Sequence, residues 1–289
     1  MTISPTIKKN YLHKLAEQQK REDGRKFDEY RPISIETDVI SKAEGSARVK
    51  IGNTQVVAGI KMVMGEPYPD TPDAGVMTTA AELIPLASPD FEAGPPRENA
   101  IELARVVDRG IRESNVIELE KLCLEPGEKI WVVFIDIHII DYDGNLFDAA
   151  SLAALAALFD AHIPLERLDE EDRKASEEKL KEFGIKPIEK TVTTKEREEE
   201  KVQVYPVPMR EPPISCTFVK YNNAVVVDPS LDEEEIAEAR LTVSTDSKGS
   251  IRAMQKGLNG SFTLDEIKKV IKGSLVTGDL LRKQLNESR

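Results

Sequence analysis

The chain has 289 residues, room for one large domain or two of ordinary size. Its 40% hydrophobic and 32% charged residues, with 16 Gly and 17 Pro, exclude a fibrous, low-complexity or wholly disordered protein. The 40 Lys and Arg against 52 Asp and Glu leave a net charge of −12, which excludes broad coating by nucleic acid or anionic membrane, so any polyanion must be met at a local patch.

The opening residues, Met1 to Lys9, hold no apolar run of signal-peptide length. The longest apolar stretch, Ala149 to Phe159 with Ser151 inside it, falls short of the ~18 residues of a membrane span. A cytoplasmic protein with no membrane partner is expected. Ile7 to Lys20 sets Leu12, Leu15 and Ala16 at helical spacing and predicts a helix ending near Asp23-Gly24. Ile33 to Glu36 alternates as a strand. Ser46 to Ile51 and Thr54 to Met64, joined by Gly52-Asn53, predict a hairpin, because Gly and Asn supply the positive φ of a two-residue turn. Pro-rich loops are expected at Pro67 to Pro72 and Pro85 to Pro96. After them Glu98 to Ser114 carries Ala100, Ala104, Val107 and Ile111 on one face and predicts an amphipathic helix.

Trp131 to Asp141 predicts a strand with Val133, Ile135, Ile137 and Ile139 on one face and Phe134, Asp136, His138 and Ile140 on the other. Asp143-Gly144-Asn145 then turns the chain into Phe147 to Ala161, a helix apolar almost all round and therefore central in the core. From Glu166 to Lys201, 23 of 36 residues are charged, which predicts an exposed helix with a solvated tether or insertion dividing two halves. Strand signals resume from Val202 and continue through Ile214 to Tyr221, Ala224 to Val227 and Gly249 to Met254. Thr263 and Glu266 form a capping-box signature that opens a last helix. Strand groups followed by helices, twice over, give an α+β chain of two similar halves. The two cysteines, Cys123 and Cys216, sit in apolar surroundings and read as buried, reduced thiols. His13, His138 and His162 are too scattered for a zinc motif, so no metal or cofactor is expected.

Three places have residues capable of chemistry. Spacings of four and three at about 100° per residue bring Arg105, Arg109 and Arg112 within an arc of about 60°, a basic stripe along which phosphates can lie. The same arginines also read as a solvated face paired with Glu98, Glu102 and Asp108, for example Asp108 with Arg112. At the second place, Gly144 precedes a helix N-terminus, a natural anion site. Leu146 and Phe147 bring no donor there, however, and Asp148 brings a negative charge, which favours an intramolecular cap. The third is the acidic run Asp228 to Glu235. It can hold a metal or act as acid and base, but Ser230 with Glu233 is again a capping box and accounts for most of it.

The chain resembles the ribonuclease PH family, and within it the non-catalytic ring subunit of the archaeal exosome, over nearly its whole length. The resemblance is carried by Arg21-Glu22-Asp23-Gly24-Arg25 with Tyr30-Arg31-Pro32, by Gly45-Ser46 and the hairpin positions Val49, Gly52, Thr54 and Val56, and by Asp141 to Asn145. Ala104 to Arg112 resembles the family's basic helix, and Gln255 to Gly260 the strand leading to its last helix. It implies a ribonuclease PH-like fold of two halves of mixed sheet packed with helices. Residues 1–29 would be an N-terminal helix and opening motif, 30–165 and 202–289 the two halves, and 166–201 a charged insertion.

Active members carry Gly-Ser-Arg or Gly-Thr-Arg after Asp-Gly to bind the attacking phosphate, whereas this chain has Asn145-Leu146-Phe147. Asp228 and Glu234 fall on acidic positions of the family's site, but a later Asp is replaced by Arg240. The resemblance therefore implies no catalytic residues here, and a ring of three such subunits alternating with three catalytic ribonuclease PH-like subunits, joined by RNA-binding cap subunits. In that setting Arg105, Arg109 and Arg112 would hold single-stranded RNA beside the neighbour's active site through sequence-blind phosphate contacts. The alternatives are an active phosphorolytic exoribonuclease using Asp228 and Glu234, and an acidic scaffold that touches only protein.

Overall fold

The computed structural model describes residues 5–193 and 199–288; the opening residues 1–4 and part of the charged segment, 194–198, lie outside the described residues. Helix α1 (Pro5–Glu17) is followed by β1 (Ile33–Thr37), β2 (Gly45–Ile51), β3 (Thr54–Gly65) and β4 (Val76–Leu83), and then by α2 (Glu98–Glu113). Next come β5 (Cys123–Glu125), β6 (Lys129–Asp141) and α3 (Leu146–Asp160). These strands form one sheet in the order β1-β2-β3-β6-β4, with β5 also paired to β6; β4 runs parallel to β6, and the other pairs are antiparallel. The alternation expected along β6 is present: Val133, Ile135, Ile137 and Ile139 are buried, while the residues between them are not.

The second half contains β10 (Ile214–Tyr221), β11 (Ala224–Val227), α5 (Leu231–Ile236), β12 (Ala239–Thr245), β13 (Ile251–Gly257) and α6 (Leu264–Glu287). Its sheet has the order β11-β10-β12-β13. Capping boxes start both helices, Ser230 with Glu233 and Thr263 with Glu266, as their sequences predict. Between the halves lie β7 (His162–Ile163), α4 (Glu170–Glu182), β8 (Ile188–Thr193) and β9 (Glu199–Pro206). The helix expected in the charged segment is α4, and the described residues after it include two strands. β8 and β9 pair antiparallel, and β9 continues onto β7.

Helix α3 is buried on every side from Leu146 to Leu158, because β2, β3 and β6 cover it from one half and β10 from the other. Its alanines let the flanking layers approach closely. Gly45 of β2 takes this furthest, since any Cβ there would collide with the backbone at Ala157 and Ala161. The resulting core is continuous across both halves, running from Val49 and Ile137 to Cys216, Val243 and Leu281. A smaller cluster forms where Leu12 and Ala16 of α1 cover Val219, Tyr221 and Val226, so the N-terminal helix packs on the second half.

Strands β4, β5, β7, β8 and β12 have no counterpart among the predicted elements. β4 lies between the two expected Pro-rich loops. β12 is buried almost throughout, so polar and apolar residues do not alternate between solvent and core. Its hydroxyls meet hydroxyls of β10 instead, Ser244 against Ser215 at 2.7 Å and Thr242 against Thr217 at 2.9 Å.

Because α3 is enclosed by both halves, Leu152→Ala should lower the unfolding free energy by about 2–5 kcal/mol, the range for truncating a buried leucine. Urea denaturation followed by circular dichroism checks this, and both halves should lose stability in one transition.

Candidate functional site

The centre of the candidate site is the carboxylate of Asp228, which is completely buried at the end of β11. Arg25 donates to it through Nη1 at 2.8 Å, and Arg31 through its backbone amide at 2.8 Å, Nε at 2.9 Å and Nη2 at 2.8 Å. Asn145 adds Nδ2 at 2.7 Å. Burial raises the Asp228 pKa, but the Arg31 guanidinium and amide and the Asn145 amide outweigh it, and the carboxyl lies below its usual value. Both oxygens are thus occupied by side chains of this chain. Nearby, Arg21 binds Glu233 through Nε at 2.9 Å and Nη2 at 2.5 Å, and caps the carbonyls of Val227 and Asp228. Asp228 and Asn145 both adopt left-handed backbone, with φ of 47° and 56°. These angles let the two side chains converge.

Gly144 makes the same convergence possible from the first half. Its φ is 89°, and a Cβ on it would lie 2.5 Å from the Pro229 carbonyl oxygen. The turn 143–145 is therefore pressed against residues 229–231. Helix α3 begins here, and its leading amide, Asn145 N, donates to Glu234 Oε1 at 3.0 Å. Tyr142 donates its hydroxyl to Glu234 Oε2 at 2.7 Å. Burial raises the pKa of Glu234 above its usual value despite these donors. The anion at this helix end is thus intramolecular, as the sequence suggests, but Glu234 supplies it.

Asp148, expected in that role, turns inward to the second half. It accepts from Tyr30 at 2.6 Å, Asn145 at 2.8 Å, and the Thr217 amide and hydroxyl at 3.0 and 2.7 Å. Burial pushes its pKa up to about 6 against those four donors. Beside Glu234, a cavity of about 310 Å³ is bounded by Phe91, Leu103, Tyr142, Phe147 and Arg240. Arg240 lies over the Phe147 ring, 4.0 Å from its centroid, and pairs with Glu102 of α2. A guanidinium and a carboxylate of the chain itself, Arg240 and Glu234, thus border this cavity.

Arg105, Arg109 and Arg112 share the exposed side of α2 and line one cavity of about 210 Å³ against Thr78 and Thr79 of β4. Their pairing differs. Arg112 donates to Asp108 through Nε and Nη2, both at 2.9 Å, and to the Met77 carbonyl at 3.0 Å. Arg109 donates to Gln255 of β13 at 3.0 Å. Arg105 has no hydrogen-bond or ion-pair partner among the described residues. The stripe is therefore partly paired, as one reading of the sequence has it, and partly free. Sequence reasoning missed the ion-pair network of Arg21, Arg25 and Arg31. These arginines sit in a polar N-terminal stretch, and their acceptors lie about 200 residues away, beyond any local pattern. No group of three or more His, Cys, Asp or Glu is arranged to hold a metal among the described residues.

Residues 29–164 match domain 1 of the 3′ exoribonuclease family, and residues 211–275 match its domain 2. The chain is 50% identical over 279 residues to the exosome complex component Rrp42 of Methanocella arvoryzae, spanning 96% of this chain and 95% of that protein. It is 49% identical to the protein of the same name from Thermococcus gammatolerans, spanning 99% of this chain and 96% of that protein. A chain from the Archaeoglobus fulgidus exosome with RNA bound to the active site has the same fold, with a TM-score of 0.83 and 44% identity over 98% of this chain and 99% of that one.

Replacing Asp228 by Asn should lower stability by about 3–5 kcal/mol at pH 7, because Arg25 and Arg31 lose a buried counter-charge. The Asp228 carboxyl is depressed in the folded state, so its contribution is full above the unfolded value of about 3.9 and is lost as pH falls through the folded value. The deficit of Asp228→Asn should accordingly narrow in acid. Asp148 acts with the opposite sign: its contribution is full below about 3.9 and fades as pH rises through about 6. Guanidinium unfolding of both proteins from pH 3 to 8 measures the two slopes.

Proposed function

The chain belongs to the 3′ exoribonuclease family, the ribonuclease PH family, and on that premise we propose that it is a non-catalytic ring subunit of an archaeal exosome, a phosphate-dependent 3′ to 5′ exoribonuclease. The observation that carries the reading is the start of α3, where Leu146 and Phe147 stand buried with no side-chain donor and Glu234 takes the Asn145 amide. Phosphorolysis needs an inorganic phosphate held close to the scissile phosphodiester. Here the helix end suited to that phosphate is occupied by a carboxylate, Leu146 and Phe147 offer no side-chain donor, and Arg240 covers the Phe147 ring. Asp228, the other candidate for proton or metal chemistry, is committed to Arg25, Arg31 and Asn145.

The partners of this reading are a catalytic ribonuclease PH-like subunit, three of each in a hexameric ring, together with RNA-binding cap subunits and single-stranded RNA. The stripe of Arg105, Arg109 and Arg112 on the exposed side of α2 faces the RNA backbone beside the partner's active site, with Arg105 and Arg109 as its available contacts and Arg112 engaged by Asp108. The net charge of −12 does not oppose this, because the segment from Arg97 to Arg112 carries four bases against three acids. Contacts confined to phosphates suit a ring that must accept any RNA 3′ end.

Two measurements test the reading. The purified chain, given single-stranded RNA, phosphate and magnesium, should release no nucleoside diphosphates alone and should support release when mixed with the catalytic subunit; equal release by the chain alone refutes the non-catalytic assignment. In the assembled ring, Arg105→Ala and Arg109→Ala should weaken RNA binding for all sequences alike and flatten its salt dependence by up to about one ion per contact. A protein-only scaffold predicts unchanged affinity and slope.

A further inference from the structure

The three arginines of the stripe are not equivalent, and the difference lies in Asp108. Its carboxylate lines the same cavity as Arg105, Arg109 and Arg112, one turn before Arg112 on α2. It accepts both Arg112 bonds, Nε on Oδ2 and Nη2 on Oδ1, and also the Thr79 hydroxyl at 3.2 Å. Arg112 is thereby folded back against β4, where the Met77 carbonyl takes a third contact. A phosphodiester entering the cavity meets Arg105, whose guanidinium has no partner among the described residues, and Arg109, held only by a neutral amide. The third, Arg112, is already neutralised by the Asp108 carboxylate.

A purely adhesive site has no use for a carboxylate among its arginines. A site along which a strand must advance has one, since every phosphate bound too tightly must be released before the next step. We propose that Asp108 is a positioning residue that limits RNA affinity: it holds Arg112 on the β4 edge, leaving Arg105 and Arg109 as the contacts along which RNA slides. This rests on the reading of the stripe as an RNA contact.

The test uses the ring assembled with its catalytic partner and a 5′-labelled single-stranded RNA, with fluorescence anisotropy across a salt series. Asp108→Asn keeps the size of the side chain and removes the charge. It should tighten binding by about 2- to 5-fold, the scale of one partly exposed ion pair, and steepen the salt dependence by up to about one ion as Arg112 becomes available. Adding Arg112→Ala should abolish that gain. Arg105→Ala in the same series should weaken binding. Should Asp108→Asn rings fail to assemble by native mass, Asp108→Ser, which keeps a hydroxyl for Thr79, takes its place. Unchanged or weaker binding by the Asp108 variant, while Arg105→Ala still weakens it, overturns the proposal and leaves the RNA reading standing. A gain that survives Arg112→Ala also overturns it. No effect from Arg105→Ala or Arg109→Ala overturns the RNA reading and the proposal together.

Discussion

The buried carboxylate of Asp228 is the constraint from which the rest of the molecule can be read. An ionised carboxylate enclosed in protein is costly unless paired and hydrogen-bonded, and this one draws donors from three residues in two places: Arg25 and Arg31 from the N-terminal segment, and Asn145 from the turn before α3. Satisfying it fixes the turn 143–145 against residues 229–231 and brings the N-terminus of α3 to the second half. It also delivers Glu234 to the Asn145 amide. The same geometry that closes the fold therefore sets a carboxylate of the chain itself at the N-terminus of α3.

Much of the fold was legible because burial leaves a periodic imprint. The hairpin of β2 and β3, the alternation of β6, the all-round apolarity of α3 and the two capping boxes each follow from nearest neighbours along the chain. What escaped was decided by distant neighbours. β12 carries Thr242 and Ser244 inside the core, and only the matching hydroxyls of Thr217 and Ser215 across the strand pair make that tolerable. The polar composition of the charged segment gives no strand signal before Val202. Its strands β8 and β9 exist because they can pair with each other and with β7, which no charge count reveals.

The site was legible in its parts and not in its assembly. The positions of Arg105, Arg109 and Arg112 on one helical face follow from spacing alone. Their inequality does not, because it depends on how one carboxylate of the same helix turns and on a carbonyl of β4. Likewise the local sequence identified an anion at the start of α3 but assigned it to the adjacent Asp148. The geometry gives that place to Glu234, 89 residues from the amide it accepts from, and sends Asp148 to Thr217 instead.

The pairing of Arg21 with Glu233 spans 212 residues, and that of Arg25 with Asp228 spans 203. A chain emerging from the ribosome therefore exposes its basic opening segment for most of its synthesis, with neither the acids that neutralise it nor the strands that α1 covers yet made. The first sheet can form early, but α3 lacks the β10 side of its enclosure until the second half follows. Completion thus waits for the second half, and contacts of such long sequence separation form slowly. During that interval the unfinished protein presents an apolar helix surface, and Arg21 and Arg31 await their distant acceptors while Arg25 already has Asp23.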